Sequence, residues 1–521
     1  MRKTVRSLLC RLLSPAALLA VFSAPLGAQE SALPAGSQPA PHELRIAVGK
    51  GLESAALRML KDNPLPLPWT FSIESIESET EAEAGASAQT AAAVPSAALV
   101  WRPVSREPDP AAVRVLLGRR WKAAPLSFLD SRSSLSRDEA IRAGLVDLAR
   151  IELPQRAAEV DGLWPGEAGY PFEDWLELSV SGAEGSLSGW ISSLSRQYAG
   201  KSPLPGAQAR PIVLGATGDI VFGSAEAPLL SQGEEGLKTL FGNLLPIMRK
   251  EDILVGNLEG VVSIHGKGNP RKRFQFRFPL STPEALTRAG FDLVLVGNNH
   301  VFDFGMEAFE DTLFGLAAAA LPAVGGGMTL NQALEAGAAG GIGADASAPL
   351  FIGFGSFHAE NYGFTTAEAA ATATRPGINA DEDATCRAIS KLSKSGRMVI
   401  VLAHGGSEYR FEPAREIKRR YRRFVDAGAA AVIGSHPHVL QGAESYRSGF
   451  IAYSLGNFIF TADIEPPESR ASAILELLIG SGKVKGMRLV PVRAGEHATA
   501  LDSEPSATWK AFLKLSSQLA Q

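Results

Sequence analysis

Cysteine is almost missing from this chain: Cys10 and Cys386 are the only two in 521 residues. Cys10 falls in a leader-like segment, so a processed chain can form no internal disulfide. Stability then rests on core burial, which this length allows. The same scarcity excludes a cysteine-ligated zinc site, and any metal must be held by His, Asp, Glu or Asn. Histidine is also sparse, with eight residues, so where they fall is informative. No apolar run of membrane-spanning length follows residue 22. Nor is there a surplus of positive charge. The formal net charge is −4, and removing residues 1–28 takes away Arg2, Lys3, Arg6 and Arg11 but no acid, which moves it to −8. That balance argues against a nucleic-acid partner. With 45% hydrophobic and 20% charged residues, the composition is globular rather than disordered or fibrous.

Residues 1–28 read as a secretory signal peptide: a basic start, an apolar core to about Phe22, and small residues from Ser23 to Ala28 suited to cleavage. An uncleaved anchor helix is the alternative, but the apolar run is short for a span. The mature protein is therefore expected in the periplasm or outside the cell, free or membrane-associated. Ser31 to Pro41 reads as a linker.

Residues 29–205 alternate strand and helix patterns and suggest a small α/β domain. Leu44–Gly49, Trp69–Ile73 and Ala97–Val104 read as strands, Glu53–Leu60 and Asp138–Leu153 as helical, and Thr80–Pro95 as a surface loop. This region resembles a lobe of a periplasmic solute-binding protein. Trp164, Tyr170, Trp175 and Trp190 could line a cleft, although such aromatics are more often core. Prolines 203, 205 and 211 mark a linker into a second domain over 211–495, after which 496–521 reads as a C-terminal helix.

In the second domain one event repeats. A short apolar strand ends, and the next residues carry Asp, Glu, Asn or His beside Gly. Ile212–Thr217 leads to Gly218-Asp219, and Asp252–Val255 to Asn257-Leu258-Glu259. Phe291–Val296 leads to Gly297-Asn298-Asn299-His300 with Asp303, ahead of a helix over Met306–Ala320. Arg397–Leu402 leads to His404-Gly405-Gly406-Ser407-Glu408-Tyr409, and Ala430–Ile433 to His436-Pro437-His438. If these parallel strands share one sheet, all five loops meet at one edge, where open α/β sheets bind ligands. Taken singly, each is bland: an Asp after a strand is usually a helix cap, and a His beside Gly is usually a satisfied surface or core residue. Taken together, oxygen and imidazole donors without thiolate suit one or two divalent ions such as Mn²⁺, Fe²⁺ or Zn²⁺, with a carboxylate such as Glu259 as a bridge.

These motifs in this order, closed by Tyr453-Ser454-Leu455-Gly456-Asn457-Phe458, resemble the CapA family of capsule or poly-γ-glutamate synthesis proteins, within the calcineurin-like metallophosphoesterase superfamily. The resemblance spans about 211–495. It implies a four-layer α/β/β/α sandwich preceded by the smaller α/β domain. It also implies Asn299, His404 and His436 at one metal position and Asp219 and His438 at the other, with Glu259 bridging. The segment from Asn299 to Gly305 is similar to the signature of exported 5′-nucleotidases, which implies that His300 protonates a leaving group and Asp303 orients it.

Three departures accompany the resemblance. Val221 stands where the superfamily's first motif has a second ligand, a histidine. Glu259 replaces the usual bridging Asp. Gly406 replaces a Trp frequent in CapA relatives. Arg273 and Arg277, on one face of an alternating strand, are candidates to grip a phosphate or polyanion, as are Glu408, Tyr409 and Asn457 to meet substrate; a solvated edge strand explains the two arginines equally well.

Two functions compete. One is an exported metal-dependent hydrolase of a phosphoester or related bond in an envelope or capsule polymer, or in a phosphorylated precursor. The other is a non-catalytic factor that binds an anionic polymer alongside the envelope-synthesis machinery.

Overall fold

The structure is a computed structural model and describes residues 42–49, 52–63, 65, 69–76, 96–103, 112–127, 130–181 apart from 131, 133, 162 and 169, 185–198, 209–339, 348–357, 364–460, 467–494, 499–501 and 505–519. The leader at 1–28, the linkers at 31–41 and 201–208 and the loop at 80–95 lie outside the described residues. The chain is mixed α/β, with several sheets.

Alternation in the first apolar run makes β1 (His42–Gly49), with Ile46 and Val48 buried, and α1 (Glu53–Asp62) packs Ala56, Met59 and Leu60 into the same core. β2 (Trp69–Ile76), β3 (Ser96–Pro103) and β4 (Ala112–Ala123) follow. The helical spacing over Asp138–Leu153 yields only α2 (Arg137–Ala143). Gly144, at φ 83°, ends it, and β5 (Val146–Asp147) with a 3₁₀ turn over Leu148–Arg150 takes up the rest. With β6 (Glu173–Ser181), the sheet order is β2-β1-β3-β6-β4-β5, and α3 (Gly185–Tyr198) adds Leu187, Ile191 and Leu194 to its core. Trp164, Tyr170 and Trp190 are buried as core; the side chain of Trp175 lies outside the described residues.

The second half carries two main sheets, of eight and six strands. The first contains β7 (Ile212–Ile220), β8 (Ile253–Leu258), β9 (Leu293–Leu295) and β10 (Ala323–Val324), all parallel. The second contains β11 (Gly337–Ala338), β12 (Leu350–Ser356), β13 (Val399–Gly405), β14 (Ala431–Ser435), β15 (Ala443–Tyr446) and β16 (Gly449–Ala452), in the order β11-β12-β13-β14-β16-β15. β17 (Asn457–Ile459) pairs with β7, and β18 (Ala471–Gly480), β19 (Lys483–Ala494) and β20 (Thr499–Leu501) extend the first sheet antiparallel beyond it. The five motif loops therefore meet at the edge of two packed sheets, which corrects the single sheet expected from the strand pattern.

Why the strands read as unbroken apolar runs is now clear: both faces are buried. Ile253 and Val255 point into a core shared with Ile400, Leu402 and Ile433 of the second sheet, while Leu254 joins the opposite core. That opposite core is filled by α4 (Gly233–Phe241), α5 (Leu245–Met248), α6 (Thr282–Ala289) and α7 (Met306–Ala318). Val399, Val401 and Ala403 pack outward against α8 (Glu382–Lys394) and α9 (Arg415–Asp426). The helical spacing from Leu237 to Met248 is split by Gly242, at φ 51°, into α4 and α5. Likewise the tail at 496–521 is not all helix: β20 precedes α10 (Pro505–Leu519), whose Phe512 enters the core between the sheets. Among the described residues, no helix is long and apolar enough to cross a membrane.

The N-terminal region docks on β19. Arg488 reaches Glu476 on β18 and Glu159 across the contact and lies 5.5 Å from the centre of the Trp164 ring; Lys485 Nζ donates to the carbonyls of Ala149 and Ile151 at 2.9 and 2.7 Å. A Cβ on Gly486 would stand 2.3 Å from that indole. Gly486→Ala should therefore loosen the contact at a cost of about 1–3 kcal/mol, seen as faster proteolysis N-terminal to residue 211. Unchanged cleavage and melting would show that the indole simply moves aside.

Candidate functional site

Strand geometry places the donors before any contact is considered. Asp219 and Asn257 lie side by side in parallel register on β7 and β8, Glu259 follows one residue after β8, and His404 faces Ser435 across β13 and β14. Asn257 ties the first sheet's acids together: its Nδ2 donates to Asp219 Oδ1 at 2.8 Å and Glu259 Oε2 at 3.3 Å, and lies 3.2 Å from His404 Nδ1. Asn298 braces Asn257 in turn, donating to its Oδ1 at 3.1 Å and to the Leu258 carbonyl at 2.8 Å, while its own Oδ1 accepts from the His300 amide. Asn298 shapes the loop and faces inward.

Among the described residues, two buried groups have the spacing to hold a cation, Glu259 with His404 and His436, and Asp219 with Glu259 and His438. They share Glu259. Its Oε1 is buried with no hydrogen-bond donor, although His300 Nε2 and His404 Nε2 each lie 3.8 Å away and His438 Nε2 4.0 Å away. Asn299 Oδ1 is 2.7 Å from His404 Nε2, and its buried Nδ2 is likewise without a partner. His436 and His438 hold left-handed backbone, at φ 98° and 57°, a strained conformation for non-glycine residues that persists only where surroundings enforce it. Asp219 Oδ2 helps, accepting from the His436 amide at 3.2 Å and lying 3.2 Å from His438 Nδ1.

Burial and close packing shift the charges of this cluster. Burial, reinforced by the Asp219 charge, pushes the Glu259 acid well above its ordinary range. Burial and the neighbouring imidazoles of His436 and His438 hold His404 well below its own. At His438 burial works downward, but the Glu259 and Asp219 carboxylates outweigh it and raise the imidazole to about 9. The crowded, dry carboxylates thus hold the His438 imidazole in its protonated, cationic form. Two carboxylates, three imidazoles and an amide oxygen, with one carboxylate oxygen left unsatisfied, fit a divalent cation.

Beside the cluster stands a second assembly. His300 Nδ1 lies 2.7 Å from Asp303 Oδ2, which also accepts from the Phe276 amide at 2.7 Å. Asp303 Oδ1 accepts from Lys272, a buried lysine whose Nζ also donates to the Asn299 carbonyl at 2.8 Å and lies 3.3 Å from His300 Nδ1. Burial lowers the Lys272 pKa against the pull of Asp303, and burial likewise lowers that of His300. Phe276 lies against the imidazole, with ring centres 4.4 Å apart.

Not every expected residue reaches the site. Arg277 donates to the carbonyls of Ile264, His265 and Gly266 and stacks on Phe304 with its guanidinium carbon 3.8 Å from the ring centre, so it braces its own loop. Arg273 is exposed beside Phe274, and only Arg277 and Phe278 of that run are strand, so the shared face expected for the two arginines does not form. Asn457, expected to meet substrate, is fully buried: its Oδ1 lies 2.9 Å from His438 Nδ1 and its Nδ2 donates to the His438 and Ser469 carbonyls. Glu408 comes within 4.8 Å of His436 and His438, and Tyr409 stands at the rim, 38% exposed. Lys272, Asn257 and Phe276 were not singled out in sequence. Val221 is wholly buried in the apolar core.

Residues 213–462 match the family model described as bacterial capsule synthesis protein PGA_cap. The chain is 28% identical over 306 residues to the capsule biosynthesis protein CapA of Bacillus anthracis, covering 57% of this chain and 70% of that one. It is 28% identical over 322 residues to the PGA biosynthesis protein CapA of Bacillus subtilis strain 168, covering 61% and 81%. Residues 213–462, which carry every candidate ligand, are thus similar to the CapA proteins of capsule and PGA biosynthesis.

Proposed function

We propose that this protein acts in capsule or poly-γ-glutamate synthesis, after export, as a metal-dependent hydrolase of a phosphoester or related bond in the polymer or its precursor. The two face-packed sheets and their helices are read as the four-layer α/β/β/α sandwich of the metallophosphoesterases. Asp219, Glu259, Asn299, His404, His436 and His438 would hold one or two ions of Mn, Fe or Zn. A divalent cation there would supply Lewis acidity toward a phosphoryl or carbonyl oxygen.

The observation that carries this reading is His300, set between Asp303 and the ligand cluster. Asp303 Oδ2 fixes Nδ1, so Nε2 faces Glu259 Oε1 and the space above it. A protonated His300 can release that Nε2 proton to a leaving oxygen. Lys272 holds Asp303, and Phe276 shields the imidazole from water. A binding protein needs none of this.

The test is to strip the full chain of metal, restore Mn²⁺ or Zn²⁺, and assay phosphomonoesters and phosphodiesters. Turnover should return with metal, and His300→Ala should lose about 10²- to 10⁴-fold in kcat. Metal at 100 times its Kd should stabilise the fold by about 2.7 kcal/mol, reversed by chelation. Bound metal without turnover, and no effect of His300→Ala, would favour the second reading, a polymer-binding factor. That reading has its own support in the loop beside the site. Lys267, Arg271 and Arg273 are exposed there with Ile264 and Phe274, which are 68% and 52% exposed.

A further inference from the structure

We infer that Glu408 is a further metal ligand, acting beside His436 and His438 at the outer side of the cluster. The inference rests on the metal reading above and adds a residue to it. The two half-sites are unequal. Glu259, Asn299, His404 and His436 give one of them four donors. Asp219, Glu259 and His438 give the other only three, and Val221 contributes none, since its side chain lies among core residues. Protein sites for Zn²⁺ or Mn²⁺ draw on four or more donors in all, and three protein donors leave one position to water or substrate.

Glu408 stands beside one histidine from each half-site. One of its carboxylate oxygens lies within 4.8 Å of a ring nitrogen of His436 and of His438, the same spacing that links the two deeper groups. Its place is fixed by the backbone on either side. Gly406, at φ 123°, turns the chain back after β13, and Tyr409, at φ 56°, turns it again. The Tyr409 amide donates to the Pro437 carbonyl at 2.8 Å, between the two histidines, and the Tyr409 ring stands 5.9 Å from the His438 ring. A left-handed tyrosine persists because its neighbours hold it. Those ties fix the carboxylate relative to the two imidazoles, as a ligand must be fixed, rather than relative to the open cleft. A carboxylate also suits the same hard or borderline ions as the other donors.

The experiment is metal titration of the stripped full chain by calorimetry, with elemental analysis of bound ion, for the wild type, Glu408→Gln, Glu408→Ala and His404→Ala. Glu408 is half-exposed, so both of its variants should fold, and circular dichroism checks that they do. Both Glu408 variants should bind at least one ion more weakly than the wild type does, by about 10-fold or more, and His404→Ala shows what loss of an inner ligand does to the same titration. Wild-type affinity for every ion in both variants would overturn the inference while the metal reading stands. A wild-type chain that binds no Mn²⁺ or Zn²⁺ would overturn both.

Discussion

Gly218→Ala should destabilise the protein by about 3 kcal/mol or more and abolish the proposed metal binding together. A Cβ at residue 218 would lie 1.9 Å from the Gly456 carbonyl oxygen and 2.8 Å from its carbon. Those are backbone atoms, which cannot swing aside as a side chain can. The next amide, of Asp219, donates to that same oxygen at 2.9 Å, and Asp219 pairs in register with Asn457, which in turn holds His438. One added methyl thus displaces ligands on both sides of the half-site. Gly189→Ala, mid-helix in α3 with nothing within 4 Å of its Cβ, is the matched control and should be neutral or stabilising by about 0.5–1 kcal/mol. Urea unfolding and bound-metal analysis read both effects. Wild-type stability in Gly218→Ala would mean that β7 and the loop at Gly456 do not meet this closely.

Much of this arrangement was legible because its signals are local. Strands buried on both faces, such as Leu254 between Ile253 and Val255, appear in sequence as apolar runs, and the donors follow them within a few residues. What escaped was long-range. Nothing in a linear pattern says that Arg277 will be used up on carbonyls 11 to 13 residues back while its neighbour Lys272 turns inward, 31 residues from Asp303. An alternating strand was the natural expectation for that run, but only its last two residues pair. Asn257 belongs to a strand-end motif, yet its role as the hub between Asp219, Glu259 and His404 depends on register between strands. The end of α2 at Gly144 shows the opposite failure, where periodic apolar residues persisted past a glycine that breaks the helix. One signal for Lys272 was available: it lies in a basic run followed closely by Phe274 and Phe276, and a lysine drawn inward beside such a ring is held only by a partner.

That partner makes Lys272→Met the sharpest probe of the proposed proton-donor assembly. Removing the ammonium leaves the Asp303 carboxylate wholly buried, with only His300 Nδ1 and the Phe276 amide to satisfy it, and frees the Asn299 carbonyl that Lys272 held. Breaking one side of a buried ion pair costs about 3–5 kcal/mol, so the single variant should be markedly less stable in urea. The double variant Lys272→Met, Asp303→Asn removes the stranded charge as well. It should recover most of that loss, a coupling expected of residues in direct contact. Turnover should not recover with it. An amide at 303 cannot steady a protonated His300 as a carboxylate does, and kcat should stay at least about 10²-fold down in both variants. Lys272→Arg keeps the charge but replaces a compact ammonium, reaching Asp303 and the Asn299 carbonyl from one point, with a flat fork that cannot. It should fall between wild type and Lys272→Met in stability. If Lys272→Met were as stable as wild type, the Asp303 charge would not depend on the lysine, and Lys272 would have no part in positioning His300.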